Sequence, residues 1–101
     1  MLDLSGSDLR GADLRGANLL STNLTDANLE SANLNGAYLG SAILERTNLT
    51  EADLTGAYLG RHPLKGRKGS PVVLVNANLS GAVLDSANLN SANLKMAKLT
   101  G

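Results

Sequence analysis

The chain has 101 residues, 9 Lys plus Arg against 9 Asp plus Glu, one histidine and no cysteine. That length fits one domain, the missing thiols exclude a disulfide framework and thiolate metal sites, and His62 alone cannot build a multi-histidine site. Zero net charge gives no whole-chain signature of a nucleic-acid or membrane binder, and with aromatics at only 2 % any interior has to be filled by repeated small and branched aliphatics.

The start, Met1-Leu2-Asp3-Leu4, has no basic stretch leading into a long apolar one, so no secretory signal is expected. No apolar run approaches the roughly 18 residues of a membrane span. The expectation is a soluble cytoplasmic protein without membrane contact.

From residue 4 onward leucine recurs every fifth position through Leu64 and again from Leu74 to Leu99, filling 19 of 20 frames, with Gly69 the exception. All thirteen alanines stand two residues before a frame position. On a helix, a step of five advances about 500°, which winds successive leucines around every side. On a straight strand an odd step alternates faces. The leucines share one interior only if the chain turns a corner once per repeat. Period two within Ala-Asn-Leu then puts Ala and Leu inside and Asn outside.

The corner has the residues it requires. Two positions after the frame leucines stand Gly6, Gly11, Gly16, Ser21, Asp26, Ser31, Gly36, Ser41, Gly56, Gly81, Ser86 and Ser91. Glycine tolerates positive φ, and Ser and Asp hydrogen-bond locally to turn backbone.

The tandem run Ala12-Asp13-Leu14-Arg15-Gly16, Ala17-Asn18-Leu19 and Ala27-Asn28-Leu29 resembles the A(D/N)LXX motif of the pentapeptide-repeat family, over residues 2–61 and 72–101. The resemblance implies an all-β fold, a right-handed quadrilateral parallel β-helix. Each pentapeptide would form one side and four would form a coil. Ala37-Tyr38-Leu39-Gly40 recurs twenty residues later as Ala57-Tyr58-Leu59-Gly60. Four sides per coil would stack Tyr58 on Tyr38, about 4.8 Å along the axis. Such a pair is either a stabilising aromatic ladder or a platform for a ligand.

Residues 61–71 depart from the motif. His62 and Arg67 fall where a small residue belongs, Gly69 where leucine belongs, and Pro63 and Pro71 would remove ladder donors. Burying Arg67 among Ala and Leu is prohibitive. The simplest account is a basic Pro/Gly loop, 62–71, extruded from one single domain spanning 1–101. Skipping ten residues sets Val73 over Ile43 one coil along, whereas counting them as two more sides would set Val73 near Asp53. The skipped frames leave about four and a half coils.

No nucleophile–base pair and no phosphate-cradling motif is readable, so no enzyme activity, cofactor or metal is expected. Residues 1–60 hold eight acids against Arg10, Arg15 and Arg46, net −5, and residues 61–101 hold six bases against Asp85, net +5. The candidate partner-binding residues are Arg61, His62, Lys65, Arg67 and Lys68 of the loop, with Tyr38 and Tyr58 of the aromatic pair. The loop is either a charge-solvated segment or a recognition element for an acidic partner. The repeat starts and stops without a capping helix, which points to end-to-end homodimerisation or to membership of a longer assembly. The expected role is a non-enzymatic structural or protein–protein interaction module whose partner is another protein. The alternatives are a DNA-mimic modulator of a type II topoisomerase, which the family resemblance implies, and weak nucleic-acid binding through the basic loop.

Overall fold

The computed structural model describes residues 2–60, 72–87 and 94–99. The repeat unit is a corner. After each frame leucine the chain makes a β-turn, and the N–H three residues on donates back to the leucine carbonyl, as in Ala12 to Leu9 at 3.1 Å and Ala37 to Leu34 at 2.9 Å. The second residue past the leucine has positive φ in every described repeat, near 65–69° at the glycines and 56–60° elsewhere. A negative φ followed by a positive one is the sign pattern of a type II turn, which glycine accepts without strain. Four positions outside the expected Gly, Ser and Asp set share this backbone: Arg46, Glu51, Asn76 and Met96. Asparagine enters the left-handed region readily, but for Arg46, Glu51 and Met96 it is costly, so the ladder around them holds the turn in place.

Successive coils are tied by parallel backbone pairing at a separation of twenty residues: Asp3 with Asn23, Asp8 with Asn28, Asp13 with Asn33 and Asn18 with Tyr38. Those four pairings begin four faces. The first carries residues 3, 23, 43 and 73, the second 8, 28, 48, 78 and 98, the third 13, 33, 53 and 83, and the fourth 18, 38 and 58. Along each face the leucine N–H donates to the next coil, as in Leu24 to Ile43 O at 2.7 Å, and so does the positive-φ residue, as in Gly36 to Thr55 O at 2.9 Å. Buried backbone groups thus find partners along the axis, as a closed interior requires.

The core is a stack of leucines and alanines. Leu24, Leu29, Leu34, Leu39, Leu44, Leu49, Leu54, Leu59 and Leu74 are fully buried, and Ala27, Ala32, Ala37, Ala42, Ala52 and Ala57 line the same interior. A buried leucine contributes roughly 1.5–3 kcal/mol. Ordering the five residues of one side costs about 5–10 kcal/mol at the usual 1–2 per residue. A side is therefore stable only with the axial hydrogen bonds and neighbours above and below it.

The repeat resumes in phase across residues 61–71. Val72 N–H donates to Leu59 O at 3.0 Å, closing the turn that an uninterrupted pentapeptide would close. Val73 pairs with Ile43, Asn78 with Asn48 and Val83 with Asp53, each thirty residues apart in place of twenty. Those pairings are the ones expected from skipping ten residues. The segment 62–71, and with it Leu64, lies outside the described residues.

Candidate interaction surface

The outward slot before each leucine does more than face solvent. Its Asn or Asp Oδ1 accepts the N–H two residues on, as in Asn23 with Thr25, Asn48 with Thr50 and Asn78 with Ser80, each at 3.0 Å. This local cap supplies a partner to an N–H at the turn, a reach that suits the short Asx side chain best. The hydroxyls of Thr50, Thr55 and Ser80 donate to the same acceptors, Asn48, Asp53 and Asn78. Where the slot holds Asp, the charge is used. Arg10 N–H and guanidinium hold the Asp8 carboxyl at about 2, and Arg15 does the same for Asp13. The Ser5 hydrogen bonds lower Asp3, and those of Thr55 lower Asp53.

A third ion pair uses the coil period. Arg46 lies one coil above Asp26 at the same corner and grips it with two nitrogens, at 2.8 and 3.2 Å, while a third reaches Glu45 at 3.0 Å. The Asp26 carboxyl is lowered by the Arg46 hydrogen bond. All these groups are largely exposed, and surface pairs of this kind add little stability.

The four faces differ in charge. The first carries Asp3, Asp26, Glu45, Arg46 and Lys95, the second Asp8, Arg10, Glu30, Glu51 and Lys98, and the third Asp13, Arg15, Asp53 and Asp85. Among the described residues the fourth carries no charged side chain; its outward positions are Asn18, Leu20, Ser21, Tyr38, Ser41 and Tyr58, with Gly40 and Gly60 buried beside them. Tyr38 and Tyr58 stack there with ring centroids 4.8 Å apart and planes within 2°. That separation equals one coil rise, so each ring is carried into the other by the translation that relates the coils. Around the corner, on the first face, Ile43 pairs with Val73. Outward aromatic and aliphatic pairs thus adjoin at one edge.

Of the residues predicted to bind a partner, Tyr38 and Tyr58 are brought together. Arg61, His62, Lys65, Arg67 and Lys68 lie outside the described residues. The Asx caps, the Arg46–Asp26 pair and the lack of charge among the fourth face's described residues were not anticipated. The twenty-residue period already signalled by the tyrosines would have located the last two. Among the described residues no His, Cys, Asp and Glu group is arranged to hold a metal ion, and no helix is long and apolar enough to cross a membrane.

Comparison with known proteins agrees with this geometry. A solved pentapeptide repeat protein from the Arabidopsis thaliana thylakoid lumen is 29% identical, with a TM-score of 0.50, covering 95% of this chain and 63% of its own. HetL, a pentapeptide repeat protein involved in heterocyst differentiation regulation in the cyanobacterium Nostoc, is 29% identical, with a TM-score of 0.45, covering 95% and 59%. Rfr23 from the cyanobacterium Cyanothece is 29% identical, with a TM-score of 0.44, covering 96% and 86%. The chain thus spans less than two thirds of the first two. No curated protein sequence matches it significantly. The model of the family described as pentapeptide repeats matches in 8 copies, over residues 3–40, 32–66 and 72–101. With its four-sided coil, leucine–alanine interior and one-coil pairings, the chain belongs to the pentapeptide-repeat family and is a right-handed quadrilateral β-helix.

Proposed function

We propose that the protein is a non-catalytic interaction module that docks a partner protein on its fourth face, whose described residues carry no charge, and on the adjoining Ile43–Val73 edge. The observation that carries this reading is the segregation of charge. Three faces bear ions, while the fourth offers stacked tyrosines, Leu20 and small residues. Aromatic residues are enriched, and charged residues depleted, at the centre of a protein interface. The acidic coils are less suited to imitate a phosphate backbone, because Asp8, Asp13 and Asp26 are paired with arginines. Protein docking therefore ranks ahead of DNA mimicry.

The test is affinity capture from native extract with the intact chain, a chain lacking residues 62–71, and Tyr38→Asn/Tyr58→Asn, which installs the repeat's own outward residue. A partner lost with the double substitution, in a variant that still melts cooperatively well above the assay temperature, supports the fourth face. Loss only with the deletion moves the site to the basic segment, and retention by both variants overturns the proposal.

A further inference from the structure

We propose that Asn35 is the site at which this chain spontaneously deamidates, through a cyclic imide formed with Gly36. Asparagine is a thermolabile residue type, and the identity of the next residue governs how readily its side chain closes on the backbone. Of eleven asparagines, eight precede leucine, whose side chain crowds the closing ring, and only Asn35 precedes glycine. Asn35 is exposed, and a Cβ placed on Gly36 would meet nothing within 4 Å. The Asn35 side-chain amide is also unlike the outward asparagines around it. Asn33 Oδ1 takes the Asn35 N–H at 3.1 Å, so the cap of this turn is made by Asn33 and not by Asn35.

The chemistry needs only water and base. The Gly36 nitrogen gives its proton to solvent base and bonds to Asn35 Cγ; the Cγ–Nδ2 bond breaks and the amide nitrogen leaves as ammonia. Water then opens the imide. Attack at Cγ gives aspartate with the backbone unchanged. Attack at the main-chain carbonyl gives isoaspartate, with the backbone rerouted through Cβ and Cγ.

The fold restrains the first step, because Gly36 N–H donates to Thr55 O at 2.9 Å and is free to react only when that rung opens. The aspartate product adds a carboxylate to the face that holds Asp13, Asp53 and Asp85. The isoaspartate product adds a backbone carbon to a side whose length is set by the coils on either side, so the Gly36–Thr55 rung is lost.

The experiment is incubation of the full chain in mildly alkaline buffer, folded and in urea, followed by peptide mapping and isoelectric focusing. The expected result is a shift of one added negative charge, with the Asn35 peptide converting before every other, to mixed aspartate and isoaspartate, and faster in urea. Asn35→Thr, which copies Thr55 in the same slot one coil up, abolishes the early conversion. Gly36→Ser, a residue this chain uses at the same turn position, slows it. Conversion of Asn76 or Asn90 first in the folded chain overturns the proposal. So does an unchanged rate in Gly36→Ser, or a folded chain that stays intact while the unfolded one converts at Asn35.

Discussion

The hydroxyl of Thr47 donates to the carbonyl oxygen of Leu24 across 2.8 Å, inside the leucine stack. Thr47 occupies a slot that alanine fills in most repeats, and it is fully buried. Leu24 O also accepts the Ala27 N–H at 3.0 Å, so the carbonyl keeps a partner if the hydroxyl is removed. Thr47→Val is therefore expected to cost about 1 kcal/mol, the worth of one hydrogen bond without an orphaned acceptor. Urea denaturation reads this as a lower midpoint at unchanged slope.

Turn strain makes the opposite prediction at Glu51. Its φ of 58° sits where only glycine is unstrained. Glu51→Gly is expected to stabilise by about 0.5–1 kcal/mol, the relief of the left-handed penalty less the added freedom of the unfolded glycine. Gly56→Val places a β-branched residue at φ 67° and is expected to lower the melting temperature clearly.

Acid should lower stability only slightly, in a defined window, because the Asp8–Arg10 and Asp13–Arg15 pairs are exposed. Asp8 and Asp13 sit at about 2, below the ordinary 3.8, because Arg10 and Arg15 bind their charged forms. Their contribution to stability is complete above 3.8 and disappears as pH falls through about 2. Denaturation midpoints measured across that interval should decline. Asp8→Asn/Asp13→Asn, which keeps the caps and removes the titrating charge, should flatten the decline.

The tyrosine stack is testable by a double-mutant cycle with Tyr38→Ala and Tyr58→Ala. Offset-stacked aromatic pairs couple by about 0.5–1.5 kcal/mol beyond their buried area. Strict additivity of the two substitutions would show that the rings adjoin without contributing to each other.

Register across the interruption gives a sharper test. With residues 62–71 removed, Arg61 would occupy the positive-φ position that Arg46 already holds, and Val72 would follow it as in any repeat. This chain is expected to melt cooperatively near the parent temperature. Removing one residue more or fewer would turn every following leucine outward and abolish cooperative melting.

Much of this architecture was legible because its signal is one-dimensional. Leucine and alanine phase alone require a corner every five residues. Two coincidences, Tyr38 with Tyr58 and Ile43 with Val73, set the coil length and the resumption of phase. The rest was hidden for identifiable reasons. Arg46, Glu51 and Met96 do not advertise a left-handed backbone, which neighbouring coils impose on them. Asn in an outward slot reads as mere polarity until the turn brings an N–H to its Oδ1. Thr47 is indistinguishable in sequence from a harmless replacement of alanine. The face without charge among the described residues becomes visible only when every twentieth residue is aligned, and the basic candidates of 61–68 fall outside the described residues.

The constant offset of the axial pairing has a kinetic consequence. Each coil closes a span of about twenty residues onto its predecessor, however many coils came before, and the crossing at Ile43–Val73 closes thirty. The entropy of that longer closure exceeds the shorter by only about 0.4 kcal/mol. Winding should thus resemble a zipper advancing at an even pace, with no late step that gathers distant ends. A chain emerging gradually from its N-terminus could complete each turn before the next is made.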